Sequence, residues 1–358
     1  MPQVAVIGAG IVGASVAYWL ARGGADVTLL DASDPADGTT GRSFAWVNAN
    51  NKTPRGYFDL NLAGMREHVA LQRELGGEWL RRTGNTIVSK DGDALRRKVR
   101  RLSSWGYEAR LLSGEELERV EPGVRLGDSF PDASAAHFPG ESWADAPQAA
   151  GAIVSSAAEL GAELRFGVEV VGVEAKATGL RVTFGDGKVF EADTLVNACG
   201  PDGAAVAGLL GRRLPLDVFP GLVVSVSAPE GALRGLLHTP EVNLRPDGPG
   251  RLAVHHDSVD GRLGRESPDA LADELLERAE GLLPALEGSK VLEVRPGRRP
   301  VPGDGYPSVG AVAGVPGYYE AVTHSGVTLG PLIGRLLAEE ILSGRVDPLL
   351  EPYRPDRF

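Results

Sequence analysis

The chain has 358 residues, 42% hydrophobic and 24% charged, the proportions of a soluble globular protein long enough for two domains. A formal net charge of -11 argues against nucleic acid or an anionic membrane as the main partner, because both recruit basic surfaces. The single cysteine, Cys199, rules out an internal disulfide and a cysteine metal cluster, and the glycines and charges within Val4 to Leu30 argue against a membrane span, so the expectation is a soluble cytoplasmic protein.

Val4 to Ile7 reads as a buried parallel strand, since both faces are apolar. Gly8-Ala9-Gly10-Ile11-Val12-Gly13 follows, then a helix from Ile11 to Arg22 and a second strand from Asp26 to Leu30, ending at Asp31 and Ala32. A G-x-G-x-x-G motif between strand and helix is the dinucleotide-binding fingerprint in its required context. Gly8 allows the tight turn, Gly10 lets backbone approach a pyrophosphate at the helix N-terminus, and Gly13 lets the helix sit close to the strands. Asp31 is placed to accept hydrogen bonds from ribose hydroxyls. The motif by itself does not choose between NAD and FAD.

Asp37 to Trp46 is too rich in small and polar residues for a core element: it is either a surface loop or a loop lying along a cofactor ring, with Thr40, Gly41, Arg42, Ser43 and Ala45 as contacts. Asn48, Asn50 and Asn51 follow, either lining a site or satisfying turn backbone. The basic run Arg96 to Arg101 reads as a solvated helix face, because no aromatic residues interleave it. Strand patterns cover Phe166 to Ala175, including Val170, then Leu180 to Phe184 and Lys188 to Glu191, around a Gly185-Asp186-Gly187 turn. Thr194 to Gly200 reads as a buried strand meeting a glycine turn, with Ala198 and Gly200 at its end and Cys199 as a core residue. Arg245 lies on one short strand, and His255-His256 closes the next, Arg251 to His256. Arg298 and Arg299 precede Pro300, and a strand is predicted at Tyr318 to Val322. His324, Ser325 and Gly326 then lead into a helix from Val327 to Leu342, apolar along Leu329, Leu332, Ile333, Leu336, Leu337 and Ile341. Its glycine-rich start, Ser325 to Leu329 with Thr328 in its first turn, suits an anionic group.

This ordered set resembles the D-amino-acid oxidase, glycine oxidase and sarcosine oxidase family of FAD-dependent amine oxidoreductases, over nearly the whole chain. The resemblance implies an α/β fold, α+β overall, with a discontinuous Rossmann-like FAD-binding domain (1–83, 143–213 and 298–358) and an antiparallel-sheet substrate domain (84–142 and 214–297). It implies oxidation of a small amine or amino acid at its C–N bond, with oxygen or another acceptor taking the electrons. Oxidation of a 2-hydroxy acid, or a place as the flavin-bearing subunit of a larger complex, are the rival expectations. Arg299 falls where some relatives carry an arginine that grips the substrate carboxylate; a structural salt bridge is the alternative. His256 matches a segment bearing an active-site histidine, His324 either touches the flavin or braces the turn, and Arg245 and Asn48 are further candidates. Gly297 stands where sarcosine oxidases carry their flavin-tethering cysteine, and no histidine lies between Asp31 and Glu67, so the expected FAD is non-covalent. Gly330 replaces the carboxylate-holding lysine of sarcosine oxidases, which favours a different substrate.

Overall fold

A computed structural model describes residues 1–127, 130 and 133–358. The chain divides into two compact units: Met1–Leu80, Ala144–Phe219 and Arg298–Phe358 form the first, Arg81–Trp143 and Pro220–Gly297 the second. The expected α/β class is what the chain forms, with a discontinuous, mostly parallel sheet in one unit and a largely antiparallel sheet in the other.

At the centre of the first unit is β1 (Gln3–Ile7), whose Val4 to Val6 are fully buried. It pairs in parallel with β2 (Asp26–Leu30) on one side and Thr194–Asn197 on the other. Glu163–Arg165 extends the sheet beyond β2, Tyr318–Val322 extends it in parallel on the opposite side, and Ser308–Ala311 closes that edge antiparallel. A parallel sheet needs a crossover for each added strand, so three separate segments of sequence build it. The helix α1 (Ile11–Arg22) packs on the final helix, Gly326–Ser343, and the contact depends on small residues. A Cβ on Gly334 would lie 2.5 Å from that of Ser15, and one on Gly330 3.2 Å from the Ile11 carbonyl oxygen. A smaller antiparallel sheet joins Val170–Ala175, Leu180–Phe184 and Val189–Ala192. Its first strand begins at Val170 rather than Phe166, because Gly167 is in the left-handed region (φ 70°) and breaks the extended run.

In the second unit an apolar row, Leu237, Leu244, Val254 and Val224, crosses four strands in register and packs with Leu271, Leu275, Ala279 and Leu282 of the helix Pro268–Leu282. Alternation therefore turns His238, Asn243 and His255, also in register, to the opposite face. The basic run lies on the helix Gly92–Ser104, where Arg96, Arg97, Arg100 and Arg101 are exposed while Leu95, Val99 and Leu102 are buried. Among the described residues no helix is long and apolar enough to cross a membrane.

Candidate cofactor site

The glycine turn has the geometry its spacing calls for. Gly8 has φ 106°, and a Cβ there would fall 2.4 Å from the Ala198 carbonyl oxygen. A Cβ on Gly13 would fall 1.8 Å from the Gly8 oxygen. Gly10, the N-cap of α1, offers no side-chain cap, and a Cβ on it would meet only Thr40 Oγ1, at 3.0 Å. The Ala9 N–H donates to Asp31 Oδ2 at 2.6 Å, and the other Asp31 oxygen accepts from the Ser33 N–H and hydroxyl. Exposed Ala32 lies between them.

From this turn a loop runs to the start of the final helix. Thr40 Oγ1 accepts from the Ile11 N–H at 3.1 Å, and the adjacent Thr39 hydroxyl donates to the Arg298 carbonyl at 2.6 Å. The Gly41 N–H donates to the Ala36 oxygen, Arg42 reaches back to Asp37, and Ser43 Oγ accepts from the N–H of Ala45, which itself has φ 53°. At the far end the Thr328 hydroxyl donates to the Trp46 carbonyl (3.3 Å) and accepts from the Asn48 N–H (3.4 Å). Asn48 is 4% exposed and its Oδ1 has no hydrogen-bond partner. A Cβ on Gly326 would be 3.6 Å from the Val12 side chain, so the two helix starts adjoin.

Pro331, His68, Lys52 and Tyr57, which pattern reading does not single out, shape the second helix start. Pro331 lies inside the final helix and has no N–H for the Val327 carbonyl, four residues back. His68, from α2 (Arg55–Leu75), fills that place: its Nε2–H donates to the Val327 oxygen at 2.5 Å. Burial lowers the His68 pKa to about 4, so the ring is neutral. Ser325, the N-cap, does not cap. Its hydroxyl accepts from Lys52 Nζ at 2.9 Å and pairs with the Tyr57 hydroxyl at 2.9 Å. A prolyl residue within a helix was the one signal in the sequence that some donor must serve Val327.

The remaining first-unit candidates are distributed around these turns. Arg299 is half-buried on Val291–Pro302, while Arg298, on the other side of that strand, is exposed and pairs with Asp202 at 3.0 Å. His324 is exposed; Leu329 is buried in the first turns of the final helix. Ala198 donates its N–H to Ile7 beside the glycine turn, Gly200 (φ 53°) opens a short 3₁₀ turn, and Val170 begins the small sheet. Cys199 Sγ donates to the Ile7 carbonyl, and burial, with the nearby charges of Asp31 and Asp202, pushes its thiol pKa far up.

Two helix N-termini that adjoin, each without an acidic residue in its first turn, concentrate positive backbone potential in one place. The glycine cradle leaves room where a Cβ would intrude, and an orphaned buried acceptor, Asn48 Oδ1, belongs to the residue whose N–H bonds Thr328 in the first turn of the final helix. A long dinucleotide with a pyrophosphate and a polar ring fits these residues. Residues 3–340 match the FAD dependent oxidoreductase (DAO) family. The chain belongs to that family. Glycine oxidase of Geobacillus kaustophilus is 28% identical, with 94% of this chain and 92% of that protein covered. Its crystal structure superposes with a TM-score of 0.90 over 100% and 99% of the two chains, at 25% identity. Iminodiacetate oxidase from Chelativorans sp. BNC1 is 26% identical, with a TM-score of 0.85 over 99% of each chain. This FAD dependent oxidoreductase is thus similar to amino-acid-oxidising enzymes along its whole length.

Two candidates of this oxidoreductase lie in its second unit. Arg245 is 3% exposed, bonded to Asp247 at 2.8 Å and to the Pro246 carbonyl, with its guanidinium 4.6 Å from the Trp143 ring centre. The strand predicted to reach His256 stops at His255, because Asp257 starts a short helix and His256 becomes its N-cap. His256 Nδ1 accepts from the Ser258 N–H at 3.2 Å; burial first, then Arg278 and His255, lower its pKa. His255 instead bonds the Leu222 carbonyl at 3.0 Å.

Proposed function

We propose that this protein oxidises the C–N bond of a small amine or amino acid to an imine, using non-covalently bound FAD. Bound FAD supplies the oxidising power, accepting a hydride from the carbon that carries the nitrogen, and water then hydrolyses the imine. The chain's own residues bind and orient. The N–H groups of Val12 and Gly13 in the first turn of α1 would hold the pyrophosphate, with Gly8, Gly10 and Gly13 admitting it, and Asp31 would accept from the ribose. The loop through Thr40 to Ala45 would run along the bound cofactor, and the Ser325-to-Thr328 turn would hold its ring edge and support the negative charge of the reduced form. Arg299 grips the substrate carboxylate through paired hydrogen bonds. Arg245 and His256 are already engaged by Asp247 and by the Ser258 turn, which favours supporting roles for them.

The observation that carries this reading is the adjoining pair of acid-free helix starts, joined by a loop whose Thr39 bonds the backbone next to Arg299. The relatives' amino-acid chemistry supports the choice of bond. The cysteine thiol committed to Ile7, with Gly297 in the tethering segment, supports non-covalent FAD. The test is an anaerobic panel of amines, N-substituted glycines, amino acids and 2-hydroxy acids, read by flavin absorbance. Bleaching by amines or amino acids is expected. Bleaching by hydroxy acids alone would overturn the reading, as would bleaching by no small molecule and copurification with a partner subunit.

A further inference from the structure

We propose that Lys52 supplies a fixed positive charge at the flavin end of the cofactor site, anchored there by Ser325 and Tyr57. The proposal rests on the reading that the start of the final helix receives the flavin ring edge. Lys52 is one of six lysines in a chain that otherwise uses arginine as its cation. Its Nζ donates to Ser325 Oγ at 2.9 Å and lies 5.6 Å from the Tyr57 ring centre, over the ring. Tyr57 is buried, and its hydroxyl is 2.9 Å from the same Ser325 oxygen. Tyr306 and Tyr57 pack in a T-shaped pair, with centroids 5.1 Å apart.

The placement is electrostatically unusual. Cations are favoured at helix C-termini and anions at N-termini. Here an ammonium sits at an N-terminus whose first turn has no acidic residue, and the serine that would cap the helix is turned to hold the lysine instead. Two positive fields directed at one place favour an anion in the space they share. The pyrophosphate is served by α1 and its glycines, whereas the Lys52 group is built onto the final helix, so the matching anion is the negatively charged edge of the reduced ring. A compact ammonium with three donors can bond Ser325 and still direct charge at a neighbour. Lys52 therefore biases the cofactor toward its reduced, anionic form.

The two-electron midpoint potential of bound FAD, measured by dye equilibration in wild type, K52M and K52R, tests this, with the FAD dissociation constant measured alongside. K52M is expected to shift the balance toward oxidised flavin at least tenfold, about 30 mV for a two-electron couple; K52R stays within threefold of wild type. An unchanged K52M potential overturns the proposal, and so does a change confined to FAD affinity, which would place the charge at the pyrophosphate. If K52M does not retain FAD, S325A decides: it keeps the ammonium but removes its anchor, and a potential shifted less than threefold overturns the proposal. Wild-type protein that takes up no FAD would defeat the functional reading itself, whereas a flavoprotein indifferent to Lys52 defeats this inference alone.

Discussion

His68 donates its Nε2–H to the Val327 carbonyl at 2.5 Å, taking the place of the backbone donor that Pro331 lacks. The proline removes a bond inside the helix, and a histidine from α2 restores it from outside. A Cβ on Gly64, also in α2, would lie 2.5 Å from the Thr328 oxygen, so the two helices are close enough for a side chain of histidine length to reach.

This arrangement makes stability depend on pH in a defined direction. His68 titrates near 6.5 when unfolded but at about 4 when folded, because burial disfavours the charged ring. Between those values the unfolded chain binds the extra proton, so the contribution is complete above pH 6.5 and is lost as pH falls toward 4. From pH 7 to pH 5 the loss is about 2 kcal/mol. H68Q keeps an N–H donor but does not titrate, and its denaturant stability should fall by about that much less over the same range. Equal pH slopes for wild type and H68Q would show that His68 is not held neutral. H68L, which leaves the carbonyl without its donor, should be less stable by about 1–3 kcal/mol at pH 7.

The first half of the cofactor site was legible because its residues are close in sequence: a strand, a three-glycine turn and a helix place Gly8, Gly10, Gly13 and Asp31 within one βαβ unit. The second half is long-range. Lys52 meets Ser325 across 273 residues and His68 meets Val327 across 259, and no local period encodes either meeting. The predicted strand runs one residue past its end at His255, because extended and helix-capping backbone look alike until Asp257 turns the chain. The apolar stripe of the final helix is legible in its local period: Leu329, Leu332, Ile333, Leu336 and Leu337 are all buried, and Ile341 is half-buried near the end.

The fit of the turn to a pyrophosphate can be tested at Gly13. A methyl there meets the Gly8 oxygen at 1.8 Å, which rigid backbone cannot relieve without opening the turn. G13A should lose about 1–3 kcal/mol of stability and roughly 10- to 100-fold in FAD affinity, and purify with little flavin absorbance. Full flavin content in G13A would mean that the turn does not contact the cofactor.

Neighbouring arginines offer an internal control for substrate binding. Arg298 is exposed and paired with Asp202, an interaction worth about 1 kcal/mol or less, whereas Arg299 faces the other side of the strand and is half-buried. R299M should reduce kcat/KM for carboxylate substrates by about 1.5–3 kcal/mol, roughly 10- to 150-fold, while an amine without a carboxylate changes little. R298M should behave as wild type with both. If the two variants are alike, or if R299M affects both substrate types equally, the carboxylate contact is wrong.

Non-covalent attachment gives the last test, and Cys199 decides how it is read. Its thiol donates to the Ile7 carbonyl, and burial together with the charges of Asp31 and Asp202 keeps it protonated at neutral pH. A protonated thiol is a poor nucleophile, so it should neither tether flavin nor react quickly with iodoacetamide in the native protein. Acid precipitation should release all the flavin into the supernatant as FAD, leaving a colourless pellet, and C199S should retain FAD to the same extent as wild type. Alkylation should become fast only in denaturant, which separates a thiol shielded by the fold from one that is chemically blocked. A yellow pellet that C199S turns colourless would identify Cys199 as a flavin tether and require the strand end at Asn197 to open toward the ring.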